Sequence, residues 1–439
     1  MLFAIHRSSI CCLLSCLNVT LSQMGQLYFD QKLFTRAEKY CERGLRIFQI
    51  NAEVNQLDVA TCMFKLGLIR EALLDNEGAL YAYLECIHIF KNNSSFEKNV
   101  TLACSLHNAA SVYLKQEIYT KALDCMTEAL NMKTACLGAR HFETASSEHW
   151  LGIIYMKLGY SDNSRLHLGN ALNSRVECFG TEHHAVAETM YALAQAHNLI
   201  EEFDEALGCL LESLRILRKL GCDEELMLKA HLLLGRSYQE LGDFDAAIEH
   251  LQDVLKNKVS SRDINLDVAE ALFRLGICYC EKNEYPESLK NFNECLEIRI
   301  SLLGNLHIEC ANTYESVGIV HQKLNSHEEA IHSFERALAI KRTSLDDDDR
   351  DISVLVHFIG TSLFALQRYG EAVSYFSDAV DRKKILHGRT DLEYAMSTFD
   401  LAAAYAKSCN KRLAMEVRLS EFIIYLFVNC ILITDYFFT

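Results

Sequence analysis

Apolar and polar positions along this chain alternate with a helical period, and that period sits inside a longer one. Small residues mark the beat: Gly25, Gly67, Ala110, Gly152, Ala194, Gly235, Gly276, Gly318, Gly360 and Ala402 follow one another at intervals of 41 to 43 residues. Twelve residues after each stands a second small residue: Ala37, Ala79, Ala122, Ser164, Ala206, Ala247, Ser288, Ala330, Ala372 and Ala414. Within Glu309–Arg342, Ala330, Phe334 and Ala337 share one helical face by their i, i+4, i+7 spacing. Val317, Ile331 and Leu338 form the apolar seam beside it. The pattern predicts two helices per period, crossing where the small residues let the backbones approach. A third small position, nineteen after the first, runs from Gly44 to Ala379 and fails at Glu421, which marks the tenth unit as a degenerate cap. Three residues after the first small position an aromatic or His is frequent, as in Tyr28, Tyr155 and Tyr238. These rings are expected to fill the gap beside the glycine.

The connections repeat as well. Leu137-Gly138-Ala139-Arg140-His141, Phe179-Gly180-Thr181-Glu182-His183 and Leu303-Gly304-Asn305-Leu306-His307 each join two periods. Glycine ends one helix there and polar residues start the next, so the histidines are expected to pack or cap the loop. Asp58 and Asp267 stand at predicted helix starts, where backbone N–H groups and the helix dipole favour a negative charge. The one proline of the chain, Pro286, follows Tyr285 at another start, the helical position where a missing N–H costs nothing.

The small, aromatic and Ala-x-x-x-Phe spacing resembles the tetratricopeptide (TPR) pattern, and the longer period with its LG-x-x-H loops is similar to the kinesin-light-chain type. The resemblance covers Leu21 to Glu421 and implies an all-α, right-handed α-solenoid of about ten helix hairpins. Residues 1–20 then form an apolar segment or cap, and 422–439 a hydrophobic C-terminal tail. The apolar run from Phe422 to Thr434 is shorter than the roughly 20 residues a helix needs to span a bilayer. A membrane role is therefore disfavoured, with a tail anchor the lesser reading. Two features depart from the family: the usual helix-ending proline is absent, and no heptad coiled coil precedes the repeats, which puts attachment to a motor heavy chain in doubt.

Composition narrows the function. The formal charge is −16, and no Lys/Arg run tracks a phosphate backbone, so nucleic acid is not the expected partner. The 18 cysteines lack a spacing framework and several take small-residue helix positions, which reads as reduced, buried thiols of a cytoplasmic protein. Cys278 and Cys280 form only a C-x-C, too little for zinc. His327-Glu328-Glu329-Ala330-Ile331-His332 looks like a zinc-protease motif, but its histidines stand at i and i+5, about 140° apart around a helix. No phosphate loop, nucleotide-binding glycine loop or nucleophile elbow occurs. Sequence therefore points to no catalytic residue, cofactor or metal.

The informative surface is the groove that first helices line in a TPR solenoid. At the positions the resemblance assigns to it stand His107, Asn108, Lys115, His149, Trp150, Lys157, Tyr191, Arg236, Arg274 and Lys323. Aromatic rings flanked by isolated charges suit a peptide with one or two apolar anchors. Trp150, the only tryptophan, is the sharpest candidate. The carboxylate clamp of chaperone-binding TPR domains is not reproduced: Asn108 fits one place, but Phe64, Leu68, Ser146 and Trp150 occupy the others. The expectation is a non-catalytic scaffold that binds a peptide segment of a protein partner. The alternatives are a kinesin-light-chain-like cargo adaptor, or the repeat portion of a larger enzyme or NTPase-linked sensor.

Overall fold

A computed structural model describes residues 20–50, 56–92, 99–221, 223–261, 265–344, 350–387, 392–408, 413 and 415. The expected N-terminal cap, residue 20 apart, and the hydrophobic C-terminal tail lie outside the described residues, as does the second helix of the tenth unit apart from residues 413 and 415. The described residues form helices throughout and no strand. They are α1 (20–30), α2 (Phe34–Ile50), α3 (Gln56–Ala72), α4 (Asn76–Lys91), α5 (Val100–Lys115), α6 (Tyr119–Leu137), α7 (Phe142–Lys157), α8 (Ser161–Phe179), α9 (His184–Leu199) and α10 (Phe203–Leu220). Then follow α11 (Glu224–Glu240), α12 (Phe244–Ser261), α13 (Leu266–Glu281), α14 (Tyr285–Leu303), α15 (Ile308–Lys323), α16 (His327–Ser344), α17 (Arg350–Ala365), α18 (Tyr369–His387) and α19 (Leu392–Lys407). Odd-numbered helices carry the first small residue, and each up to α17 pairs with the even-numbered helix after it. The chain divides into two compact units, one ending at Ala230 and one beginning at His231. Each is a stack of helix hairpins.

Positions within a hairpin are conveniently counted from its first small residue. At +7, in every hairpin turn among the described residues, the backbone is left-handed: Lys32, Leu74, Glu117, Gly159, Glu201, Gly242, Asn283, Asn325 and Gln367 have φ between 58° and 81°. The N–H at +8 donates to the carbonyl at +3 across this turn, at 2.8 to 3.0 Å in all nine. That is the hydrogen bond by which a helix ends in a left-handed residue and satisfies its orphaned carbonyls.

The small residues do what their spacing predicts. Ser288 Oγ, at +12, donates to the carbonyl of Gly276 itself at 2.7 Å, so the two small positions touch. The side chain lying over the glycine, however, is not the +3 ring expected to fill that gap but the residue at +16. A Cβ on Gly318 would fall 2.5 Å from Phe334 Cε1, and one on Gly276 2.5 Å from Phe292 Cε1. The hairpins of Ala110 and Ala194 carry flexible Met126 and Leu210 there instead, while Tyr83, Phe292, Phe334 and Phe376 all face a glycine. The +3 ring turns the other way. Tyr28 stacks on Tyr40 at 5.1 Å, Tyr155 on His167 at 5.3 Å and Tyr238 on His250 at 5.6 Å, in each case a ring at +15.

The repeated loops are built as expected. Gly138, Gly180 and Gly304 have φ of 92°, 80° and 89° and end their helices. Three residues on, Nδ1 of His141, His183 and His307 accepts the N–H of Glu143, Ala185 and Glu309 at 3.1 to 3.2 Å. These histidines are helix N-caps, a place more often held by Ser, Thr, Asp or Asn. The cysteines described are free thiols, and Cys41, Cys62, Cys86, Cys278, Cys280, Cys295 and Cys310 are buried. Burial pushes the Cys41 thiol up to about 12 and that of Cys86 to about 11, which makes them inert packing groups.

Candidate functional site

In the first unit α7 touches both α5 and α9, so these first helices lie side by side and their expected groove residues share a surface. The structure separates those residues into buried and available ones. His149 is 1% exposed. His107 is held by a hydrogen bond between its Nδ1 and Ser147 Oγ at 2.9 Å, one first helix to the next. Both occupy −3, as does His357 of the second unit, whose Nδ1 likewise meets Ser397 Oγ at 3.2 Å. These histidines pack between first helices.

Behind them lies a feature that the sequence reading missed. At +23, late in the second helix, Lys133, Arg175, Arg299, Lys341 and Lys383 are buried cations. Each reaches the start of the following first helix. Lys133 Nζ meets Glu143 Oε2 at 2.8 Å, and Arg175 meets Glu188 at 3.0 Å and the Ala185 carbonyl at 2.7 Å. Arg299 bonds Glu309 at 2.7 Å and Glu270 at 3.1 Å, while Lys341 bonds Glu315 at 2.7 Å and Asp351 at 2.8 Å. Lys383 faces Glu393 at 3.8 Å. Burial acts to lower the pKa of Lys341, but its hydrogen bonds to Asp351 and Glu315 outweigh that and the net shift is upward. The signal was available: Lys or Arg recurs at +23 with the same long period as the small residues.

These cations explain the histidines. Burial holds His107 down to about 3, with Lys133 acting in the same direction, and does the same to His149, with Arg175 and His107 adding to it. In the second unit burial and then Lys383 hold His357 at about 4, against the opposing pull of Glu393. All three rings stay neutral at physiological pH.

The remaining candidates reach the surface to different degrees. Asn108 Nδ2 donates to Tyr83 Oη at 3.4 Å, Tyr83 Oη donates to Glu71 at 3.0 Å, and Glu71 also holds Lys115 at 2.7 Å. Lys115 is thus exposed but engaged. Trp150 is half-buried, edge-on to His149 at 5.9 Å, with half-buried Ile153 and Met156 on the same helix. Lys157, two turns beyond Trp150, is exposed and has no ion-pair partner among the described residues. Tyr191 is half-buried on α9, its hydroxyl accepting from Gln195 at 3.2 Å. In the second unit Arg274 is half-buried and paired with Glu270 at 2.7 Å, while Arg236 and Lys323 are exposed. The HEEAIH segment is the opening of α16, with Ala330 fully buried and His332 exposed. Among the described residues no helix is long and apolar enough to cross a membrane.

Family models of the tetratricopeptide repeat match residues 16–92, 143–219, 199–258 and 267–343, and a second such model matches 232–299. The chain belongs to the tetratricopeptide repeat family. Solved TPR structures resemble it in fold. The apo form of the quorum sensor NprR from B. thuringiensis is 14% identical and aligns over 83% of this chain and 97% of its own, with a TM-score of 0.54. Nearly identical, kinesin-light-chain-type TPR-like repeats from Podosopora anserina are 19% identical over 45% of this chain and 95% of theirs, at a TM-score of 0.41. BtubC (BKLC) from P. vanneervenii is 21% identical over 57% and 92%, at 0.43. No curated protein matches the chain in sequence.

Proposed function

We propose that this TPR protein is a non-catalytic interaction scaffold whose first-unit groove binds a peptide segment of a partner protein. The observation that carries the reading is the juxtaposition on α7 of half-buried Trp150 with exposed, uncommitted Lys157. Trp150 offers a broad apolar face at little entropic cost, the usual character of an interface anchor. Lys157 offers a charge that no neighbour among the described residues uses, whereas Lys115 is already paired with Glu71. The preferred ligand is a peptide with an apolar side chain close to a carboxylate. Tyr191 and Asn108 border the same surface, while His107 and His149 act from beneath it by fixing the spacing of the first helices.

The test uses the intact chain as bait and identifies captured proteins by mass spectrometry, beside a Trp150→Ala/Lys157→Glu variant. Loss of an anchor of this kind weakens binding by about 2 kcal/mol, roughly thirtyfold. The partner recovered with the unaltered chain should therefore be lost from the variant while its helical circular dichroism stays the same. Equal capture by both chains would reject this site.

A further inference from the structure

One cluster of the second unit is absorbed neither by the repeat pattern nor by the groove. His231 on α11 and His250 on α12 bring their Nδ1 atoms to 3.2 Å of one another, and Asp253 Oδ2, one turn along α12, lies 4.0 Å from His231 Nδ1. All three donor atoms fall within 4.8 Å of each other.

We propose that His231, His250 and Asp253 bind a divalent transition metal ion of the zinc class, clipping α11 to α12 and leaving one coordination position for water. The chemistry of the donors fits: two imidazole nitrogens and one carboxylate oxygen are a known three-ligand set for zinc, and softer ligands are not required. The spacing fits as well. With metal–nitrogen bonds of roughly 2.0–2.1 Å, the edge of a tetrahedron is about 3.3 Å, close to the separation of the two ring nitrogens. Asp253 Oδ2, 4.0 Å from His231 Nδ1, would have to draw in to close the third edge. Its other oxygen, Oδ1, is held by Lys256 Nζ at 3.1 Å, a second contact that orients the carboxylate.

The site is also preorganised. His231 is 5% exposed, and the His250 ring lies flat against Tyr238 at 5.6 Å, so both imidazoles are fixed by packing on paired helices. A corresponding place elsewhere in the chain shows what is unusual here. At −4 and +15 the fourth hairpin has Glu148 and His167, an acid and a base at 2.5 Å, with His167 stacked on Tyr155 as His250 is on Tyr238. That pair satisfies itself with a hydrogen bond. In the sixth hairpin the acid is replaced by a second imidazole, and two facing ring nitrogens with a carboxylate beside them are complementary to a cation.

Cobalt(II), a spectroscopic stand-in for zinc, tests this on the intact chain under reducing conditions. Titration should give visible d–d bands of a nitrogen and oxygen site at one equivalent, displaced by zinc. Asp253→Asn and His250→Gln should each weaken binding at least about tenfold, with helicity kept, while His332→Ala, a change of an exposed histidine, should leave it intact. Asp253 is partly exposed, so its variant stays informative if His250→Gln fails to fold. Binding unchanged in Asp253→Asn, no bands at one equivalent, or bands dominated by thiolate-to-cobalt charge transfer would overturn the proposal.

Discussion

The turn inside a hairpin and the junction between hairpins solve the same problem, ending one helix and placing the next, by different means. Inside the hairpin the solution is backbone: a left-handed residue at +7 and one hydrogen bond from +8 to +3, repeated nine times with side chains as unlike as Leu74, Glu117 and Asn325. Between hairpins the solution is side chains, and it varies. Among the described residues five junctions bury a cation at +23, whereas Phe90 and Leu217 take that position in two others and close them with apolar contact. Backbone geometry tolerates almost any residue and fixes only the local bend. Side-chain junctions choose which helix comes next, and they fail when one partner is lost.

The largest effect should come from stranding a buried charge. Lys341 is 1% exposed, but its partners Glu315 and Asp351 reach water. Changing both, Glu315→Gln with Asp351→Asn, leaves the ammonium buried without a counter-charge and should cost about 3–5 kcal/mol in urea unfolding of the second unit. Lys341→Met should cost distinctly less, because the two carboxylates it releases can hydrate and the new side chain resembles the apolar junction at Leu217. Equal losses in the two variants would show that the junction is held by packing alone.

Next in size is acid. His107, His149 and His357 titrate at about 3 to 4 when folded, against an ordinary value of 6.5 for a free ring. The unfolded chain therefore binds more protons below pH 6.5. Stability is fully present above that pH and is lost as pH falls toward 4, by up to about 1.4 kcal/mol per pH unit for each ring. Urea midpoints measured at pH 7 and pH 5 should differ accordingly, and His149→Gln should flatten the dependence. A midpoint that does not fall at pH 5 would mean that these rings are not held neutral beside the junction cations.

Much of this architecture was legible because its cause is local and periodic. Glycine and alanine at the crossing positions leave a periodic mark, and the G-x-x-H loops spell a helix stop and an N-cap in four letters. The candidate site was legible in part. Position counting found the first-helix face, but it could not tell Lys157, which faces water, from His149, which faces Arg175, since depth depends on a neighbour in another helix. The same limit hid the cluster of His231, His250 and Asp253. Its two histidines stand nineteen residues apart on either side of a hairpin turn and match no short motif, and only the pairing of α11 with α12 brings them together.

The smallest effect tests the turn. Leu74 is 85% exposed and left-handed, a conformation that disfavours a side chain with a Cβ. Leu74→Gly should raise stability by up to about 1 kcal/mol, seen as a small rise in thermal midpoint. A loss of stability there would show that the side chain contributes contacts which outweigh the backbone cost.

The buried cation at +23 has a consequence for how such a chain can change length. It works as a plug, and the acid nine residues before the next small position as its socket: Arg299 with Glu309, Lys341 with Asp351, Lys383 with Glu393. Excising residues 309–350 as one block would set Arg299 opposite Asp351, a match of sign and place. Hairpins that share the plug and socket can therefore be lost or duplicated whole without orphaning a charge, while the apolar junctions at Phe90 and Leu217 accept no such exchange with them.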